Sequence, residues 1–171
     1  MGYTHYWRQL RDFTDTEWQE LMRLTKLITA SSGRDIILSE FNINNEEIRF
    51  NGYGEEGHET FLITKKKRAK ADYEEQHAYD KKGAFNFCKT AHKPYDKYVV
   101  AVLCALHNMK IKLDEEKPPV LYIRSDGNTK DWTEGLFHAV RSTRQEEMYC
   151  PIRDCLTLSY VDYVDQQKKT G

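Results

Sequence analysis

Apolar residues recur along this chain with two different periods, and the places where the period changes mark its elements. Tyr3, His5 and Trp7 alternate with Thr4, Tyr6 and Arg8. This predicts a strand with aromatic β-formers on both sides, and so with both faces covered. Thr14-Asp15-Thr16-Glu17 has the form of a capping box, and Trp18, Leu21, Met22, Thr25 and Ile28 follow at helical spacing. That helix is expected to end near Ser31-Ser32-Gly33, with glycine as a left-handed cap. Ile36-Ile37-Leu38 is too short to assign, since a strand and a buried helical turn both fit it. Asn44-Asn45 marks a turn ahead of Glu47–Asn51, where Ile48 and Phe50 alternate with polar neighbours. The segment Glu59–Thr64, across a glycine-rich connection, reads as the antiparallel partner of that strand.

The second half is organised around Phe85–Asp96, where a short aromatic strand enters a polar loop that opens the most apolar helix of the chain. Pro94 suits a first helical turn, and Tyr95, Tyr98, Val99, Val102, Leu103, Leu106 and Met109 form one apolar stripe. Val120–Ile123 is a buried-strand run, Ser125-Asp126-Gly127-Asn128 a turn, and Trp132, Leu136, Phe137 and Val140 the inward face of a third helix. Leu156–Val164 alternates in part, as an edge strand would, and Gln166–Gly171 reads as a loose polar tail. The order lacks a regular βαβ rhythm. A single α+β domain over residues 1–171 is expected, with a mainly antiparallel sheet and two or three packed helices. The strand-turn-helix arrangement at Ser125 repeats that at Lys89, and the two polar loops share a side if their strands run parallel.

Charge changes this picture in one place. Charged residues make up 31% of the chain at a net charge of −1, so the surface is of mixed sign and no global basic field points to nucleic acid. Lys65 to Lys82 is the least apolar part and reads as an exposed insertion. Its run Lys65-Lys66-Lys67-Arg68 is followed closely by acidic residues, which makes solvated charge the default reading; the functional ones are contact with nucleic acid, a localisation signal, or contact with a macromolecular assembly. No apolar run approaches the roughly 20 residues that span a bilayer, and the N-terminal residues lack a signal-like apolar stretch, so an intracellular location is expected and a membrane partner is not. Cys88, Cys104, Cys150 and Cys155 then read as free thiols, with Cys150 and Cys155 the one local pair able to close a loop under oxidation.

Three kinds of chemistry are open. Cys88-x3-His92 and Cys104-x2-His107 are two-ligand spacings without the paired motifs that a metal centre shows, so no metal and no cofactor is implied. Cys88 beside lysines near a helix N-terminus has the surroundings of an activated thiolate, yet it ends an aromatic strand and equally suits a buried, inert thiol. The third option is a polar pocket. Lys89, Thr90 and Lys93 stand near a helix N-terminus, where unpaired N–H groups favour an anion. Ser125 and Asp126 come from the second polar loop, Arg49 and Asn51, with Glu59 or Thr60 opposite, from the hairpin, and His5 and Trp7 form the floor. Such a set suits a phosphorylated or carboxylated small molecule. Against it stands the plain alternative of cross-strand ion pairing and a hydrogen-bonded core histidine.

Gly2-Tyr3-Thr4-His5-Tyr6-Trp7, Ile48-Arg49-Phe50-Asn51-Gly52, His58-Glu59-Thr60-Phe61, Phe87-Cys88-Lys89-Thr90-Ala91, Lys93-Pro94-Tyr95-Asp96 and Ser125-Asp126-Gly127 resemble the signature blocks of an uncharacterised family of small proteins from bacteria, their phages, some eukaryotes and large viruses. The resemblance spans most of the chain and implies one domain, but no reaction. At His92 the chain departs from a basic residue such as arginine, which removes support from a metal ligand there, and the Lys65–Lys82 segment is peculiar to this chain. Two functions follow as expectations: a domain that binds an anionic small molecule, or a non-enzymatic interaction or structural protein of a viral or cellular assembly, virion-associated if viral.

Overall fold

A computed structural model of the chain describes residues 2–68, 83–113, 120–145, 147–152 and 157–159. The expected strand at the N-terminus is β1, Thr4–Gln9, and it is the centre of the first sheet. On one side it pairs with β5, Ala84–Lys89, and on the other with β6, Leu121–Ser125, both antiparallel to it. β5 and β6 therefore run parallel to each other, so the loops that follow them emerge at the same end. The second sheet is the antiparallel set β2 (Leu38–Ile43), β3 (Glu47–Gly52) and β4 (Phe61–Thr64). Its inner face, with Ile48, Phe50, Phe61 and Ile63, is buried, and Trp7 of β1 meets Phe61 with ring centroids 5.4 Å apart. A two-stranded ribbon, β7 (Glu147–Tyr149) with β8 (Thr157–Ser159), completes the sheets.

Three helices among the described residues pack against one another. α1, Asp15–Thr29, starts with the expected capping box: Thr14 accepts from Glu17 N at 3.2 Å and Glu17 Oε1 accepts from Thr14 N at 2.8 Å. Its end differs from expectation. The helix stops at Thr29 with a right-handed cap at Ala30, and Gly33, at φ +95°, belongs to the turn beyond. α2, Asp96–Leu113, is buried on all sides from Tyr98 to Leu106, which is why its sequence is apolar beyond a single stripe. α3, Thr129–Thr143, is capped by Asn128 with Asp131 and buries Trp132, Leu136 and Val140, with Phe137 partly buried. α3 approaches α2 at Gly135, where any Cβ would overlap the Val100 side chain. The buried Asn108 of α2 ties β7 down, donating to Tyr149 O and accepting from Tyr149 N, both at 2.8 Å.

The described residues thus form a single α+β fold of three helices, two three-stranded antiparallel sheets and the two-stranded ribbon, the α+β class expected. Two strands escaped the sequence pattern. β2 carries a register shift between Ser39 and Asn42 that breaks its alternation, and β7 has only three residues. Of the expected edge strand, Thr157–Ser159 is β8; the rest of it, the polar tail, Cys155 and most of the Lys65–Lys82 segment lie outside the described residues. None of the helices, among the described residues, is long and apolar enough to cross a membrane.

Candidate functional site

Because β5 and β6 are parallel, the two polar loops do meet. At their shared end His5 of β1 lies fully buried with both ring nitrogens engaged: Nε2 is 2.6 Å from Asp96 Oδ1, and Nδ1 is 2.9 Å from Ser125 Oγ. Thr90, also fully buried, donates to the same Asp96 oxygen at 2.6 Å. Ser125 Oγ in turn accepts from Gly127 N at 2.9 Å and from Trp132 Nε1 at 3.2 Å. Asp126 Oδ2 accepts from Thr4 N at 3.1 Å and Tyr6 Oη at 3.3 Å. The Tyr3 ring closes the cluster, edge-on to His5 at 5.0 Å and stacked on His92 at 3.7 Å. The turn under it holds Ala91 and His92 in the left-handed region, at φ 52° and 58°. Tyr3 O compensates by accepting from both Thr90 N and Ala91 N at 3.1 Å.

Ser125, His5 and Asp96 line up as serine, histidine and carboxylate, the order of a nucleophile relay. The hydrogen bonds argue against that role. Both lone pairs of Ser125 Oγ already accept, from Gly127 and Trp132, so its hydrogen is left to point at His5 Nδ1 and no lone pair faces outward for attack. The local field is also acidic. Burial first, then Asp96, Asp131 and Asp126, push the Tyr3 phenol well above its ordinary value. At the first turn of α2 the carboxylate of Asp96 itself supplies the negative charge that the helix end favours.

Of the remaining candidates, Lys89 and Glu59 border this cluster. Glu59 Oε2 accepts from Lys89 N at 2.7 Å, and its carbonyl accepts from Tyr95 Oη at 2.6 Å, which joins the second sheet to the end of β5. The Lys89 side chain lies against Gly2, and its ammonium makes no ion pair among the described residues. Trp7 sits deeper, buried against Phe61. Arg49 and Asn51 are not part of the cluster: both stand on the outer face of β3 in the other sheet. Arg49 pairs with Glu47 two residues before it, at 3.3 Å, rather than across the strands. Asn51 latches the connection to β4, accepting from Gly52 N and His58 N and donating to His58 O and Thr60 Oγ1.

Cys88 is buried, and burial pushes its thiol up to about 12. It donates to Glu59 O at 3.4 Å, the environment of an inert thiol rather than a nucleophile. Among the described residues no group of three or more His, Cys, Asp or Glu side chains is placed to hold a metal ion. The basic run is tied down along its length: Lys65 pairs with Asp15, Lys67 N donates to Asp12, and Arg68 Nη2 donates to Phe85 O at 2.9 Å.

The opposite face of the first sheet corrects the expectation that both sides of β1 are covered. The strand registers place Phe87, Tyr6 and Arg124 in one lateral row and Phe85, Arg8 and Tyr122 in the next, all on the face turned away from His5 and Trp7. Phe87 is 50% and Tyr122 52% exposed, Arg124 is exposed, and Tyr6, Arg8 and Phe85 are half-buried. Arg8 lies 5.3 Å over the Phe85 ring, and an open groove of about 530 Å³ runs between Tyr6, Arg8, Phe85, Tyr122 and Arg124. Each strand by itself shows only an unremarkable alternation. What makes the array is the lateral register, which no single strand encodes.

Neither a family model, nor a curated protein, nor a solved structure matches this chain. The functional reading therefore rests on the geometry.

Proposed function

We propose that the protein is a non-enzymatic binding domain that engages a macromolecular partner through the open face of the β5-β1-β6 sheet, while the polar end at His5 locks the fold behind it. The observation that carries this reading is the exposed array of Tyr6, Phe85, Phe87 and Tyr122 interleaved with Arg8 and Arg124. Large half-exposed aromatics beside arginines are the residues that dominate binding surfaces, and a contiguous apolar patch on a small domain marks an interaction site. The saturated hydrogen bonding of Ser125 and the burial of Thr90 and His5 support the locking role of the polar end.

The test is site-specific photo-crosslinking in the native host from a benzoyl-phenylalanine at position 87, with position 53 as control, since Tyr53 is exposed in the turn that follows β3. A macromolecular adduct at 87 and none at 53 is the expected result. Equal labelling at both positions, or none at 87, sinks the proposal.

A second reading, binding of a small phosphorylated or carboxylated molecule at Lys89 and Lys93, draws on one observation, the unpaired Lys89 ammonium over Gly2. The neighbouring carboxylates of Asp96 and Asp126 weigh against it. Melting-temperature titrations with inorganic phosphate, nucleotides and dicarboxylates test it: stabilisation that disappears in Lys89→Ala supports it, and flat titrations end it.

A further inference from the structure

Resting on the reading of the open face as the working surface, we infer that its partner is single-stranded nucleic acid, with bases stacked on Tyr6, Phe85, Phe87 and Tyr122 and phosphates held by Arg124, Arg68 and Lys89. The side chains are arranged as a platform rather than as a knob-and-hole patch. The Tyr6 and Phe85 rings lie within 24° of parallel at 6.1 Å between centroids, and Phe85 and Phe87 within 32° at 5.9 Å. A row of near-parallel rings on a strand pair offers successive flat π-faces, which suit unpaired bases of any identity. A protein partner instead needs pockets and paired hydrogen-bond donors on the facing surface.

Cations frame the platform on its edges. Arg124 projects from β6 in the Tyr6–Phe87 row, and Arg68 reaches the outer edge of β5, where its guanidinium bonds Phe85 O. Lys89 continues the Phe85–Phe87 side of β5. Arg8, over the Phe85 ring, polarises the platform from within. Among the described residues the carboxylate of Asp126 stands at the Lys89 end, and it is already engaged by Thr4 N and Tyr6 Oη. The net charge of −1 argues against a long-range field that gathers duplex DNA, but stacking with a few rim cations needs only this local complement. The face carries an open groove and no projecting helix or ribbon, so it does not enter a duplex groove.

The experiment measures fluorescence anisotropy of labelled 12-mers of oligo-dT and oligo-U, and of a 12-base-pair duplex, with the full-length protein at several salt concentrations. Single strands are expected to bind more tightly than the duplex. Phe87→Ala and Tyr122→Ala should each weaken binding by roughly 5- to 100-fold, with the melting temperature unchanged. Arg124→Ala should reduce the slope of log K against log salt by about 0.7. Absence of binding to single strands up to about 100 µM protein at low salt overturns the inference, and so does equal binding of the duplex or full binding by the Phe87 and Tyr122 variants. A protein adduct from position 87 in the crosslinking experiment leaves the working surface standing and removes nucleic acid as its partner. No specific adduct removes both.

Discussion

The two faces of β1 carry the same kinds of residue, aromatics and hydrogen-bonding side chains, and treat them in opposite ways. On the inner face His5, Ser125, Thr90 and Asp96 satisfy one another and are shut away behind Tyr3 and Trp132. On the outer face Phe87 and Tyr122 keep about half of their surface in water beside the half-buried Tyr6 and Phe85, with arginines between them. Buried polar groups need partners to avoid a desolvation cost, so a closed network is what folding selects. Exposed aromatics gain nothing for folding, so their presence points to something outside the chain. The lesson is that the polar cluster, which looks more like chemistry, is the more structural of the two regions.

The largest expected effect follows from opening the inner network. Asp96→Ala leaves a fully buried imidazole and a buried threonine hydroxyl without their carboxylate, a loss of about 3–5 kcal/mol. At 2–4 °C per kcal/mol for a domain of this size, calorimetry should show a fall of roughly 6–20 °C. A fall under about 2 °C would show that the polar end is dispensable to the fold, and the contrast with the outer face would collapse.

His138 provides a second buried imidazole, at the contact of α3 with α1, and it sharpens the comparison through pH. Its Nε2 lies 2.7 Å from Ile28 O and its Nδ1 accepts from Arg141 at 3.1 Å. Burial, with Lys97 and Arg141 nearby, lowers its pKa from 6.5 to about 4. The depressed value means that below pH 6.5 the unfolded chain takes up a proton that the folded imidazole refuses until about pH 4. Stability present above pH 6.5 is therefore lost as pH falls to about 4, by up to about 3 kcal/mol. Urea unfolding at pH 7 and pH 4.5 should show the loss, and His138→Gln should flatten it. An unchanged pH profile in that variant would assign the dependence to other groups.

A smaller effect is expected at Gly127, where any Cβ would overlap the Tyr3 phenol. Gly127→Ala should cost about 1–3 kcal/mol through overpacking, and the smaller side chain in Tyr3→Leu should recover part of that cost in the double variant. Additive losses would place the strain elsewhere. The smallest change in stability belongs to the outer face. Phe87→Ser with Tyr122→Ser should alter the unfolding free energy by no more than about 0.5 kcal/mol per site, while weakening the binding of labelled single strands to that face. A large destabilisation would mean that these rings hold the fold.

Local pattern carried most of the elements. The Thr14–Glu17 capping box, the Trp18 to Ile28 spacing and the stripe from Tyr95 to Met109 are each written in residues no more than four apart from the next, and each appears in the fold with its expected position. The parallel relation of the strands before Lys89-Thr90 and Ser125-Asp126 was a condition that sequence spacing leaves open. Pairing of both strands with β1 meets it, which brings Thr90, His5 and Ser125 together. Arg49 and Asn51 looked equivalent to these residues in sequence. They stand on another sheet because sheet membership depends on which strands pair, not on what each strand contains.

What the sequence by itself determined is therefore the kind and position of the main elements, the α+β class and the apolar faces of the helices, because those follow from periodicity and capping between near neighbours. What only the tertiary structure decided is which polar residues close on one another and which aromatics stay open. Both depend on the lateral register of β5, β1 and β6, strands separated by as many as 122 positions, as in the contact of Thr4 with Asp126. Hydrogen-bond satisfaction is a property of such three-dimensional neighbours, so neither the alignment of Ser125, His5 and Asp96 nor the two N–H groups that saturate Ser125 Oγ can be read from the chain alone.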